Sequence, residues 1–502
     1  MKVFTAQQIR DWDRYTIENE PINSLQLMER AAIQVFKAIA LQLNDRQPTV
    51  VICGSGNNGG DGLAIARLIH GSGNPVKVFL IETGKELSRD CCDNLKRAEE
   101  KDVPVHRISD IAQFPSIPRN ALVIDALLGS GTNRPAEGIL AKVIVWLNHQ
   151  RLKVYSLDVP SGMQMDNFVQ PEPHHVVRAH TTYTFQVIKK AFLLAENQIF
   201  TGNVELLDIG LDFNYYRQTP SEIHFLAERS GLPKLPPRNL NAEKRDFGNA
   251  LLMAGSQGMM GAAVLAARTC TRSGAGLTIC YVPTSGLDIM HNGVPEATVW
   301  CDQEEHFLTR LPERIDQASA VAIGPGLGRN RKTAELVRAT LEHVKVPLIL
   351  DADALNLIAA NTWQSLIPRN SLITPHNREF ERLFGTASDA DRNLDLQLEA
   401  SKEYGIYILR KGAYSKLTTP DGHTLINSTG NPAQAKGGSG DMLTGCILGL
   451  LARTGNIETA AVLGMYLHGL AADIALQQSH EECLLTSDCI NALPKAFSAL
   501  TR

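Results

Sequence analysis

Short β-branched runs recur along this chain, each followed by a glycine-rich or polar turn and then by a stretch with apolar or small residues at helical spacing. The first half predicts strands at 49–53 (TVVIC), 76–81 (VKVFLI), 121–124 (ALVI), 153–157 (KVYSL) and 181–187 (TTYTFQV). The second predicts them at 249–254, 277–282, 318–323, 346–350, 371–374 and 406–410. Strands that alternate with helices imply an α/β fold with a parallel sheet in each half. Between residues 214 and 247 the grammar breaks, with Pro233, Pro236 and Pro237 and no sustained apolar period. A linker is therefore expected at 214–243, separating domains at 1–213 and 244–502.

A chain of 502 residues is too long for one ordinary core, in keeping with two domains. The 49 Lys and Arg against 53 Asp and Glu leave a net charge of −4, which implies no broad basic surface for nucleic acid. The polar, helix-like start lacks the apolar core of a signal peptide, and no run of 18 apolar residues is seen. A cytoplasmic protein without membrane contact is expected. Nine scattered cysteines without a CxxC pair argue for buried reduced thiols rather than disulfides or structural zinc. The adjacent pairs Cys91-Cys92 and His174-His175 would diverge on regular structure and suit no metal.

The polar motifs follow the strands, where open parallel sheets bind ligands. After TVVIC comes GSGNNGGDG (54–62), a formal GxGxxG with Glu82 where a ribose-binding acid would lie. An ordinary dinucleotide turn is bare; here Asn57, Asn58 and Asp61 crowd it, groups that could hold a polar ligand or a hard cation through oxygen. VIDALLGSGTNRP (123–135) adds Asp125 and a second glycine-rich turn, and VYSLDVPSG (154–162) adds Asp158 and Ser161. Three polar strand ends converge in one parallel sheet.

These motifs, with Leu27-Met28-Glu29, TFQVIKKAFL and GNVELLDIGL, resemble the YjeF N-terminal domain, the NAD(P)HX epimerase family, of Rossmann-like α/β/α fold. Its members interconvert the R and S hydrates of NADH and NADPH. The resemblance implies nucleotide contacts from Asn57, Asn58, Gly59, Gly60 and Asp61, from Gly129, Ser130, Gly131, Thr132, Asn133, Arg134 and Pro135, and from Asp158. It also implies potassium held by Asn58, Asp125 and Ser161, with Asp158 as acid/base at the hydrated carbon. Gln186 stands where that family carries a glycine.

In the second half, GPGLG (324–328) is a tight turn open to a ligand. LDADALN sets Asp351 and Asp353 two apart at a strand end, facing one way if the strand persists. TPHNREF places His376 after a strand and near Glu379, and RKGAYSKL supplies Lys411, fit to neutralise a phosphate. KGGSGD (436–441) then opens an apolar helix. Free backbone N–H groups and a positive helix terminus make that turn a seat for a phosphate oxyanion. Asp441 is there either a capping residue or a base that takes a hydroxyl proton while the N–H groups stabilise the moving phosphoryl group. No GxxxxGK[S/T] run occurs, so a P-loop is excluded.

KRDFG, GSQGMMGAA, SGAGL, AIGPGLG, LDADALN, TPHNREF, LRKGA, NSTGNP and KGGSGDMLTG resemble, in order, the YjeF C-terminal domain, the ADP- or ATP-dependent NAD(P)H-hydrate dehydratase family of ribokinase-like fold. The resemblance implies hydrate contacts from Ala262, Gly326, His376 and Asp441. It implies nucleotide contacts from Lys411, Gly412, Ala413, Tyr414, Ser415 and Gly440. Asp441 would direct the hydrate's hydroxyl onto the terminal phosphate of ADP, giving AMP and a phosphorylated hydrate that expels phosphate to regenerate NAD(P)H. Magnesium would accompany the nucleotide, held mainly by phosphates and water. The expected partners are NADHX, NADPHX and ADP, with ATP an option, and a homo-oligomer is expected. Two rivals stay open: a ribokinase-like small-molecule kinase fused to a nucleotide-binding domain, and a binding or scaffold protein whose first half has lost activity.

Overall fold

The computed structural model describes residues 1–43, 47–227 and 229–500; the domain spans given above include a few residues outside these. The chain forms two compact units, Lys2–Ser221 and Glu222–Arg502, with Met1 grouped with the second.

The first unit is built on seven strands: β1 (Thr49–Cys53), β2 (Val76–Ile81), β3 (Val105–Ile108), β4 (Leu122–Ala126), β5 (Lys153–Leu157), β6 (Thr181–Phe185) and β7 (Asn203–Leu207). All pair in parallel, in the order β3-β2-β1-β4-β5-β6-β7. β1 is buried along its length because successive residues enter opposite cores, Val51 and Cys53 packing with Leu63 and Ile65, Val50 and Ile52 with Phe79 and Ile144. Strand order reverses between β1 and β4, which opens a crevice beyond their carboxyl ends. At the N-terminus, the Thr5 side chain accepts from the Gln8 N–H and starts the helix Ala6–Asn19. Trp12 anchors that helix among Phe4, Tyr215 and Tyr216 and donates to the Asp212 carbonyl at 2.8 Å.

The second unit carries β8 (Ile223–Leu226), β9 (Asn249–Met253), β10 (Leu277–Val282), β11 (Thr298–Cys301), β12 (Ala320–Ile323), β13 (Leu348–Leu350), β14 (Leu372–Ile373), β15 (Tyr407–Arg410), β16 (Lys416–Thr418) and β17 (Thr424–Asn427). Their order is β11-β10-β9-β12-β13-β14-β15-β16-β17-β8. Pairing is parallel from β11 to β15, antiparallel through β16 and β17, and parallel again between β17 and β8. The helix Ser439–Thr454 is buried from Met442 to Ala452 and lies against the helix Met260–Arg272. Contact is close enough that a Cβ at Gly445 would fall on the Ala266 carbonyl oxygen, and one at Gly449 would sit 2.6 Å from that of Cys270.

Each expected strand forms, but the expectation of two wholly parallel sheets fails at β16 and β17. The expected linker also contains structure. Phe213–Gln218 is a helix of the first unit, and β8 pairs with β17, so residues from 222 onward belong to the second unit. Its IHFL run is too short and too exposed to stand out beside the prolines that follow. The helix Ile457–Leu476 has the length and composition of a membrane span at mean hydropathy 1.4, yet 67% of its most apolar window is buried within the unit, as in a core helix. No disulfide links the cysteines; Cys53, Cys91, Cys270, Cys280, Cys446 and Cys489 are buried, whereas Cys483 is exposed, contrary to a uniform burial of thiols.

Candidate active sites

In the first unit a cavity of about 440 Å³ lies beyond the carboxyl ends of β1, β4, β5 and β6. Asn57, Asn58, Asp61, Gly129, Ser130, Gly131, Thr132 and Asp158 all line it, between apolar walls that include Trp12, Leu127, Phe185 and Val187. Helix Asn57–Gly71 begins inside the glycine motif, so Asn57 to Asp61 form its first turns rather than an open loop. Gly59 and Gly60 therefore do not reach the cavity. A Cβ at Gly59 would strike the Gly54 carbonyl, and one at Gly60 would sit 2.9 Å from the Met28 sulfur. These glycines let elements pack. Asn133, Arg134 and Pro135 lie past the cavity wall, and Glu82 is paired on the surface with Arg107 at 3.2 Å, away from any ribose position.

Asp158 follows β5 with φ of +62°, a conformation that costs a non-glycine residue about 1 kcal/mol. Its own N–H donates to the Tyr183 carbonyl at 2.7 Å, and its Oδ2 accepts from the Ser130 N–H at 3.2 Å. The buried Lys189 ammonium stands 3.1 Å from Oδ1 and also donates to the Phe185 and Val187 carbonyls. Burial pushes the Asp158 carboxyl up, but the Lys189 charge and the Ser130 N–H outweigh it, so the group titrates below its ordinary range. The other acids behave oppositely. Burial, then Asp158 and Asp13, hold Asp61 well above the usual carboxylate range, and burial with Asp158 lifts Asp13 to about 7. Lys189 and Asp13 line the same cavity; Lys189 lies within the TFQVIKKAFL motif, whose resemblance implies no role for it, and Asp13 carries no motif-level signal. Gln186 adopts φ of +61°, the conformation for which a glycine is suited, and its Oε1 accepts from the Ile209 N–H at 3.0 Å.

Asp125, at the end of β4, is fully buried. It accepts from Ser156 Oγ at 2.7 Å, Ser161 N at 2.9 Å, Ser161 Oγ at 2.5 Å and the Leu127 N–H at 3.4 Å. None of these donors is charged, and burial raises the carboxyl despite them. The buried Asn58 amide nitrogen has no partner among the described residues. Carboxylate, hydroxyl and amide oxygens together suit a hard monovalent cation, which would also offset the uncompensated buried charge.

In the second unit the N-terminus of helix Ser439–Thr454 meets the carboxyl ends of the central strands. Gly438 at φ of +90° turns the chain into that helix. Asp441 lies in its first turn, where burial and then Asp351 lift its carboxyl to about 6, with Lys411 pulling the other way. Lys411, just after β15, is held by Asp351 Oδ1 at 2.7 Å, while Thr444 Oγ1 donates to Asp351 Oδ2 at 2.7 Å. A Cβ at Gly440 would lie 3.3 Å from the Lys411 ammonium. Asp351 and Asp353 do not face one way, because β13 ends at Leu350 and Asp351 starts a helix; Asp353 turns instead to the Gly328 N–H and Arg329.

His376 caps the helix Asn377–Phe384, its Nδ1 accepting from the Glu379 N–H while Glu379 accepts from the His376 N–H at 2.8 Å. Burial and the Lys411 charge hold the exposed-edged imidazole below its ordinary value, hence neutral at pH 7. Gly326, at φ of +60°, sits against the Met259 carbonyl and Ala262. The 411–415 turn is closed by Ser415 Oγ donating to the Gly412 carbonyl at 3.0 Å; Ala413 is exposed, and Tyr414 is at φ of +55°. His468 escapes sequence inspection. Its Nε2 lies 3.0 Å from the Ser439 carbonyl and burial lowers it to about 4, so a neutral imidazole braces the helix start.

Fold and sites together define a two-unit α/β enzyme in which each unit presents polar strand ends for a nucleotide-like ligand. Residues 24–191 match the family described as YjeF-related protein N-terminus, and residues 250–495 match NAD(P)H-hydrate dehydratase. The chain is similar to the bifunctional NAD(P)H-hydrate repair enzyme of Moorella thermoacetica, 33% identical over 98% of this chain and 96% of that one. It is similar also to that of Thermofilum pendens, 32% identical over 100% and 97%, and that of Escherichia coli, 29% identical over 98% and 93%. A solved ribokinase-like protein of Enterococcus faecalis is 27% identical, with a TM-score of 0.50 over 56% of this chain and 98% of that one. The chain belongs to the bifunctional NAD(P)H-hydrate repair enzymes, with an epimerase unit followed by an NAD(P)H-hydrate dehydratase unit.

Proposed function

We propose that the first unit interconverts R and S hydrates of NADH and NADPH in the β1–β4–β5 cavity, and that the second dehydrates the S form with ADP. The observation that carries the dehydratase mechanism is Asp441 in the first turn of a buried helix, its carboxyl lifted to about 6 beside Lys411. A base of that strength is deprotonated at pH 7 yet able to take a proton. Asp441 draws the proton from the hydrate's hydroxyl as its oxygen attacks the terminal phosphate. The N–H groups of Ser439 to Asp441 and the Lys411 ammonium face the charge on the transferring group. Phosphate then departs as the ring nitrogen's electron pair forms an iminium, and loss of a proton from the neighbouring ring carbon restores the carbon–carbon double bond. Asp351 keeps Lys411 charged and fixed, so its part in nucleotide binding is as a braced cation, joined by the 411–415 turn and Gly440. His376, Ala262 and Gly326 would form the hydrate's walls.

In the first unit Asp158, held anionic by Lys189, is the base at the hydrated carbon. Potassium held by Asn58, Asp125 and Ser161 would supply positive charge beside the buried Asp125. Magnesium entering with the nucleotide would neutralise phosphate charge, held mainly by phosphates and water.

The test is incubation with NADPH hydrate and ADP. Recovery of NADPH absorbance with AMP and phosphate is expected. A stable phosphorylated product without NADPH would make the second unit a kinase instead.

A further inference from the structure

We propose that Asp13, from the N-terminal helix, is the acid that works with Asp158 in epimerisation, giving a proton to the ring nitrogen as Asp158 takes one from the hydroxyl. This rests on the reading of the first cavity as the epimerase site. Asp13 lies outside the segment matching the N-terminal family, 24–191, yet lines the cavity with Asp158 and Lys189. Its position is fixed by Trp12, whose ring is buried between Phe4 and the Tyr215 and Tyr216 rings, leaving the next residue turned to the cavity.

The chemistry asks for a second group. In the hydrate one carbon bears both the hydroxyl and the ring nitrogen, so inverting it requires a bond at that carbon to open and re-form on the other face. Asp158 takes the hydroxyl proton, the oxygen's electrons form a carbonyl, and the carbon–nitrogen bond breaks toward nitrogen. Nitrogen receives the proton of Asp13. Rotation about the neighbouring carbon–carbon bond turns the carbonyl's other face to nitrogen, which re-adds while both protons return. Nothing is oxidised or reduced.

Asp158 is the acceptor in this step, held as the anion by Lys189 and Ser130, so a proton that reaches nitrogen as the bond breaks comes from another group. Asp61 also lines the cavity, and Arg10 is the remaining charged group on its wall. Asp13 is suited to the donor role because burial, and then the Asp158 charge, against the opposing pull of Lys189, keep it protonated to about pH 7.

The experiment follows R-to-S conversion by NMR with the full chain across pH 5.5–9. Asp13→Asn should lower kcat about 100-fold, within the range of a lost general acid, with KM changed little. It should also abolish the fall in rate expected of the wild type above about pH 7. Asp13→Glu should restore much of kcat and keep the fall, and the thermal unfolding of the first unit should be unchanged in both variants. If Asp13→Asn stays within threefold of wild type with the same pH profile while Asp158→Asn is inactive, the acid is not Asp13. If Asp158→Asn is itself fully active, the reading of the cavity has failed instead.

Discussion

Replacing Lys411 with Met removes the cation from a carboxylate that is 1% exposed. Asp351 would keep only the Thr444 hydroxyl, 2.7 Å from Oδ2, against its charge. Breaking a buried pair from one side costs about 3–5 kcal/mol. The Lys411 side chain is 20% exposed, so water relieves part of the strain and the low end, about 3 kcal/mol, is expected. At about 2–4 °C per kcal/mol for a domain of this order, the dehydratase transition in calorimetry should fall by roughly 6–12 °C. Adding Asp351→Asn should recover more than half of that loss, since the orphaned charge disappears with its partner. Activity should not return, because the phosphate then lacks its cation. A fall below 2 °C for Lys411→Met, or a double variant whose loss equals the sum of the two singles, would refute the account of Lys411 and Asp351 as a coupled pair.

Asp441→Asn should abolish NADPH recovery while R-to-S conversion continues. The wild-type dehydratase rate should rise with pH through about 6 and level off, as a base must lose its proton to act. Replacing potassium by a large organic cation should slow the epimerase, and Asn58→Leu should remove the difference between the two salts. Gly59→Ala should unfold the first unit by about 3 kcal/mol or more, since its Cβ meets the Gly54 backbone and not a movable side chain, as thermal unfolding will show.

The strands that sequence patterning found, such as TVVIC and LTICYV, are buried on both faces and read as continuous apolar runs. Of those it missed, β3, β7, β8 and β11 lie at sheet edges. VHRI of β3 buries one residue of four, NVELL of β7 none fully, and TVWC of β11 likewise, so the apolar run never forms. KLT of β16 and TLIN of β17 are largely buried but only three and four residues long. The polar strand ends were legible because parallel topology gathers them in one crevice. What patterning could not see was reach across the fold: Asp13 arriving from a helix, Lys189 folding back on Asp158, and His468 bracing Ser439 from the helix Ile457–Leu476. Asp351 and Asp353 were misjudged for a local reason, since a period-two argument lapses once the strand yields to a helix.

The glycines at 445 and 449 set the distance between two helices by main chain touching main chain. Side chains elsewhere in that core can be exchanged and re-settle in other rotamers, but a peptide backbone has no such slack. Asp441, one turn before Gly445 on the same helix, thereby inherits a location that ordinary sequence drift in the surrounding core leaves in place, whereas any residue larger than glycine at 445 would force the two helices apart and carry the base with them.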